Sequence, residues 1–124
     1  MLTREDILGI KDIKTTLVAV PEWGGAEVYV REMSGLQRDQ YDGRVCKQRD
    51  AKGNVDVTGL RALLVTLTTC TADGTPLFTP EDIPALEAKS AAAIQRIFDA
   101  SAKLNGMTVE AEAEIRSDFS TATR

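Results

Sequence analysis

Residues 71–106, TADGTPLFTPEDIPALEAKSAAAIQRIFDASAKLNG, are the best-punctuated stretch of the chain. Asp73-Gly74 is a tight-turn pair, and Thr79-Pro80-Glu81-Asp82 is a helix start with proline at the first helical position, where its missing N–H leaves no bond unmade. Pro84 falls inside the first turn or just past it, so a short helix is expected over 80 to about 87. A second helix is expected from about Lys89, with Ala91, Ile94, Ile97, Phe98, Ala102 and Leu104 inward and Gln95, Arg96, Asp99 and Lys103 toward water. Asn105-Gly106 ends it through the left-handed conformation that glycine adopts without strain. Two helices with apolar faces need a partner, and the upstream residues must supply it.

Immediately upstream, residues 59–70 carry Leu60, Leu63, Leu64, Val65 and Leu67 on nearly all sides. Such a segment reads as a central buried helix capped by Asp56 or Thr58, although Thr66, Thr68, Thr69 and Thr71 would also suit a strand; its length of about twelve residues favours helix. Ser34-Gly35-Leu36-Gln37 has the Ser-x-x-Gln form of a capping box and predicts a helix from Gly35 to about Arg49, with Leu36, Tyr41 and Val45 inward. A polar connector, Ala51-Lys52-Gly53-Asn54, follows. Residues 14–20 and 26–33 are rich in β-branched side chains and are separated by Pro21-Glu22-Trp23-Gly24-Gly25, which predicts a hairpin with Val28 and Val30 on its covered face. At the N-terminus, Thr3-Arg4-Glu5-Asp6 predicts a short helix with Ile7, Leu8 and Ile10 as its apolar face. The class is therefore α+β: an N-terminal helix and a β-hairpin, then a mainly helical bundle of about four helices. Residues 1–106 form one domain in this reading, and 107–124 an acidic C-terminal segment.

Composition narrows the function. A chain of 124 residues with 43% apolar and 27% charged side chains fits one globular domain, and only six aromatics imply an aliphatic core. No run approaches the roughly 18 apolar residues of a membrane span, and MLTREDILG lacks the order of a signal peptide, so the expectation is a cytosolic protein without a membrane partner. Histidine is absent, which removes the commonest general base. The two cysteines, Cys46 and Cys70, have no metal-site spacing; a disulfide between them is disfavoured in the cytosol, and the other reading is two small buried thiols. The net charge of −4 comes wholly from residues 54–124, since residues 1–53 carry nine basic and nine acidic side chains. That argues against nucleic acid, which is bound by clustered Lys and Arg. The one basic cluster, Arg44, Lys47, Arg49 and Lys52, is interrupted by Asp42 and Asp50 and reads as a solvated face. Asp39 with Asp42, and Glu81 with Asp82, are better explained as solvated or helix-start residues than as catalytic pairs. No catalytic residue, cofactor or metal ligand is expected.

What remains are candidate partner contacts. Trp23 at the hairpin tip offers a large apolar area and an N–H donor; either it meets a partner or it folds back over its own core. Tyr29 on the second strand joins it. In the C-terminal segment MTVEAEAEIRSDFSTATR, Thr108 can cap a short helix on which Val109, Ala113, Ile115 and Phe119 form a thin apolar stripe, so Val109, Ile115 and Phe119 complete the candidates. A frayed solvated segment is the other reading. Glu110, Glu112 and Glu114 are not a metal site on a helix, because alternate residues do not share a face.

Residues 62–107, ALLVTLTTCTADGTPLFTPEDIPALEAKSAAAIQRIFDASAKLNGM, resemble the tail assembly chaperones of long-tailed (siphovirus-type) bacteriophages: a leucine-rich helix, a DG turn, PLF, a TxED helix start, then KSAAA and LNG. LTREDIL, the hairpin ending VYVREMSG and the helix with Asp39-Gln40-Tyr41 extend the resemblance over about 1–108. The resemblance implies a chaperone, not an enzyme, acting in the host bacterial cytoplasm. It would bind and solubilise the tape measure protein, help recruit the tail tube protein and be absent from the mature virion. It also implies a longer product made by programmed ribosomal frameshifting. That function, with the weakly amphipathic second helix, motivates the expectation that copies self-associate into a ring or spiral around the client. A minor structural or connector protein of the phage tail is the alternative.

Overall fold

In a computed structural model, which describes residues 1–107, the protein is α+β: an N-terminal helix, a three-stranded antiparallel sheet and four further helices. Helix α1 spans Arg4–Gly9; strands β1 (Thr15–Val20) and β2 (Ala26–Arg31) form the hairpin; α2 (Gly35–Lys47) and α3 (Leu60–Thr68) follow; β3 (Thr69–Cys70) completes the sheet; α4 (Ile83–Glu87) and α5 (Ala91–Leu104) close the fold. The expected C-terminal helix, with Val109, Ile115 and Phe119, lies outside the described residues.

The helix starts follow local chemistry. Ser34 Oγ accepts from Gln37 N and Gln37 Oε1 accepts from Ser34 N, a reciprocal cap that satisfies two otherwise unpaired donors. The same exchange joins Thr3 and Asp6 at α1. Asp82 accepts from both Thr79 N and Thr79 Oγ1, and Pro80 opens a 3-10 turn over Pro80–Asp82 that leads into α4. The stretch expected as one short helix is thus a 3-10 turn followed by an α-helical one. Helix α5 starts two residues later than expected, capped by Ser90, and Gly106 at φ 72° ends it.

The all-apolar stretch is helix and strand in succession. Leu60–Thr68 is helical, and Thr69 turns extended so that β3 pairs with β2, Tyr29 opposite Cys70 and Val30 opposite Thr69. Of the threonines, only Thr69 goes to the sheet, because β2 offers an unpaired edge there; a two-residue strand has no periodicity of its own. The expected side-chain cap is also corrected: Gly59 at φ 79° precedes α3 with no side-chain bond, while Asp56 bonds the hydroxyl and N–H of Thr58. Asp56 and Thr58 use their polar groups on each other, one turn too early to cap the helix.

Two apolar clusters share α3 and α5. The first joins Val18, Val20 and Val30 from the inner face of the sheet to Ala62, Val65, Leu86, Ala93, Ile94 and Ile97. The second gathers Met33, Tyr41, Leu60, Leu64 and Ala102. Each buried aliphatic side chain contributes roughly 1.5–3 kcal/mol. Between the clusters the two central helices are joined by a buried polar contact. Thr68 Oγ1 donates to Leu64 O at 2.7 Å and lies 2.8 Å from Ser101 Oγ. Asn105 ties the end of α5 to the β2–α2 connection: its Oδ1 accepts from Met33 N at 2.7 Å, and its Nδ2 donates to Ser101 O and Arg31 O.

Several inward expectations fail for identifiable reasons. Leu36 is 69% exposed, because it sits in the first turn of α2 away from the line through Tyr41 and Val45 that meets α3. Ala91 is exposed at the first turn of α5, and Ala93 is buried instead. Cys46 is exposed on α2 while Cys70 is buried, and the two thiols are free.

Candidate functional site

Among the described residues no group of three His, Cys, Asp or Glu side chains could hold a metal ion, and no helix is long and apolar enough to cross a membrane. The perturbed carboxylates are explained by local hydrogen bonds. Asp73 is pulled down to about 2, first by the Thr71 hydroxyl and then by the side chain and N–H of Thr75, because every one of these donors favours the ionised form. Glu22 is lowered by its bond to Arg96, which reaches it from α5 at 2.7 Å. Burial raises the Cys70 thiol above its ordinary value, against the pull of nearby Arg31. These groups secure turns and the contact between hairpin and α5; none converges on a pocket with a second reactive side chain.

The candidate surface is apolar. Trp23 ends a 3-10 turn over Pro21–Trp23, half-buried and packed against the first cluster, so one side of the ring covers the core. Tyr29 is half-buried on the outer face of the sheet, in register with Leu17, which is 46% exposed. The structure does not bring Trp23 and Tyr29 together. Trp23 packs on the cluster beneath the sheet at the hairpin tip, whereas Tyr29, opposite Leu17, lies on the other face and further along the strand.

The feature that sequence reasoning missed is the N-terminal segment. Helix α1 buries no residue, and Ile7, Leu8, Ile10 and Ile13 are each at least 40% exposed. With Leu2 and Leu17 they give one end of the chain a run of uncovered aliphatic side chains. The periodic apolar residues were legible as a helix face; the missing signal was helix length. Six residues with Gly9 at the end cannot both form a stable helix and reach across a core, so the face stays open.

Comparison with known proteins agrees with this architecture. A solved structure described as the "Structure of bacteriophage HK97 tail assembly chaperone" superposes with a TM-score of 0.58 over 81% of this chain and 90% of that one, at 20% identity, which establishes a shared fold. No curated protein sequence matches. The family described as phage tail assembly chaperone matches residues 9–116, nearly the whole chain. With a match that covers so much of the sequence, the chain belongs to the phage tail assembly chaperone family.

Proposed function

We propose that the protein is a non-enzymatic chaperone of the tape measure protein, keeping that long helical chain soluble in the host bacterial cytoplasm and helping recruit tail tube subunits, without remaining in the mature virion. The observation that carries the reading is the uncovered aliphatic run over Ile7, Leu8, Ile10 and Ile13 in a member of this family. Exposed contiguous apolar surface marks an interaction site, and a client helix would present anchors at i, i+3, i+4 and i+7 to it. Trp23 and Tyr29 flank the hairpin as secondary contacts, and Val109, Ile115 and Phe119 would extend the surface from a C-terminal segment distinct from the 1–106 domain. Many copies, self-associated in a ring or spiral, would coat a long client through weak repeated contacts. A longer product made by frameshifting would carry the tube-recruiting extension.

Co-expression with the tape measure protein of the same phage tests this. The wild-type chain is expected to raise the soluble client several-fold, and Leu8→Asp with Ile10→Asp to abolish that gain while leaving the circular dichroism unchanged, because neither side chain is buried. A client equally soluble with the double variant would overturn the assignment of the surface. Finding the protein in stoichiometric amounts in purified virions would replace the chaperone reading with that of a minor structural or connector subunit.

A further inference from the structure

The sheet has two unlike edges. Beyond β3 the chain turns at Asp73-Gly74 and runs back along it: Thr71 N donates to Thr75 O, Pro76 bridges Cys70, Leu77 N donates to Thr69 O, and Arg31 Nη1 donates to Gly74 O at 2.8 Å. That edge is covered. Strand β1 ends the sheet on the other side, and no described residue pairs with its outer edge. Natural edge strands are guarded against further pairing by a proline, a bulge or a charge within the strand. Strand β1 has none of these: Thr15–Val20 reads TTLVAV, and its register with β2 runs unbroken from Thr15 opposite Arg31 to Val20 opposite Ala26.

The backbone groups that this edge offers are set by the register. Lys14 O accepts from Glu32 N, so Lys14, Thr16 and Val18 turn their N–H and C=O groups toward β2. Thr15, Leu17 and Ala19 alternate with them and turn theirs outward. Their side chains are exposed and lie on the outer face of the sheet, opposite to buried Val18 and Val20.

We propose that this edge pairs with β1 of a second copy, antiparallel and centred on Leu17, so that the two sheets become one. The outward residues are their own complement about that centre. Thr15 faces Ala19 of the other copy, Leu17 faces Leu17, and Ala19 faces Thr15, so every outward donor meets an outward acceptor. Within each chain Tyr29 stands opposite Leu17, and the junction therefore completes an apolar row of Tyr29, Leu17, Leu17 and Tyr29 across the outer face. Leu17 is 46% exposed in the single chain and is covered in the pair. An unrelated strand could take the backbone groups, but the matched centre and the row are supplied by this chain's own sequence.

Charge selects the antiparallel arrangement. Lys14 and Lys103 both line a groove of about 700 Å³ between β1 and α5, and neither forms an ion pair among the described residues. Asn105 bonds Arg31, the residue opposite Thr15, so the Lys103 end of α5 lies with Lys14 at the start of β1. Antiparallel pairing sets Lys14 opposite Val20 of the other copy. The two cationic ends then lie about 20 Å apart along the strands, beyond the roughly 8 Å over which exposed charges act at physiological salt. Each approaches the end of the other strand that leads into Glu22. Parallel pairing would place the lysines side by side, where like charges repel. The same patch is used on both chains, so the contact closes at two copies, and a larger ring or spiral would need a second surface. The inference concerns the protein alone and stands apart from its action on a client.

Sedimentation equilibrium of the full chain, with hydrogen exchange of the Thr15–Val20 amides, tests the proposal. The wild type is expected to form pairs in which the amides of Thr15, Leu17 and Ala19 exchange at least tenfold more slowly than in Leu17→Lys. Leu17→Lys and Leu17→Glu each set like charges opposite each other and are expected to weaken pairing at least tenfold, with the circular dichroism unchanged because Leu17 is exposed. Mixing the two variants is expected to restore pairing and protection, since a lysine then faces a glutamate. A wild type that stays monomeric at every concentration overturns the proposal, as does a mixture that pairs no better than its components. Association of both single variants as strong as that of the wild type also overturns it, and assigns the contact to another surface.

Discussion

Replacing Thr68 by valine preserves the shape of the side chain and removes one hydroxyl from the seam between α3 and α5. That hydroxyl donates its single proton to Leu64 O, so the 2.8 Å contact with Ser101 has Ser101 Oγ as donor and Thr68 Oγ1 as acceptor. Thr68 and Ser101 are both fully buried, and no water can replace the lost acceptor. Thr68→Val therefore strands a buried donor, at about 1–3 kcal/mol, whereas Ser101→Ala removes that donor and leaves only a spare lone pair, at about 1 kcal/mol. The double variant has no stranded group and should be no less stable than Thr68→Val alone, giving a favourable coupling of roughly 1 kcal/mol. Thr69→Val is the control: the neighbouring hydroxyl is just as buried and has no hydrogen-bond partner, so the same substitution in a strand should be neutral or stabilising. Urea unfolding monitored by circular dichroism measures all four chains. Additive losses in the double variant, or equal losses from Thr68→Val and Thr69→Val, would refute the reasoning.

Two other outcomes follow from the polar groups. Asp73 titrates in the fold at about 2 against an ordinary 3.8, so the stability it supplies is complete above the ordinary value and lost as pH falls through the lower one. Carbon-detected titration should find that midpoint, and Thr71→Val should move it upward, since the Thr71 hydroxyl is the largest cause of the shift; an unchanged midpoint would contradict the assignment. Native protein should react with one equivalent of a thiol reagent at Cys46, and a second only after denaturation, because Cys70 is buried and its thiolate disfavoured.

The parts of the fold that were legible are those decided within a few residues. Ser34 with Gln37, Thr79 with Asp82 and Asn105 with Gly106 mark ends whose hydrogen bonds are made locally, and each marks a boundary in the structure. Burial of Ile94 and Ile97 followed from a helical period sustained over several turns. The strand identity of Thr69–Cys70 was not legible, because it depends on a partner about forty residues earlier in the chain. Nor was exposure of Leu36 or of Ile7 and Leu8: an apolar side chain states that it can be buried, and only the packing of neighbouring elements decides whether it is. For the candidate surface, sequence singled out Trp23 by its chemistry, but the open run over Ile7, Leu8, Ile10 and Ile13 has no residue signature, since it exists only once the packing of the other elements is fixed.

Asn105 gives the molecule a fixed point of origin. Its side chain holds the backbone at Met33, Arg31 and Ser101 at once, and Arg38 grips its carbonyl. One amide side chain thereby ties the last turn of α5 to the strand it packs beneath and to the entry of α2, so a single substitution there, Asn105→Ala, would loosen three elements at one point.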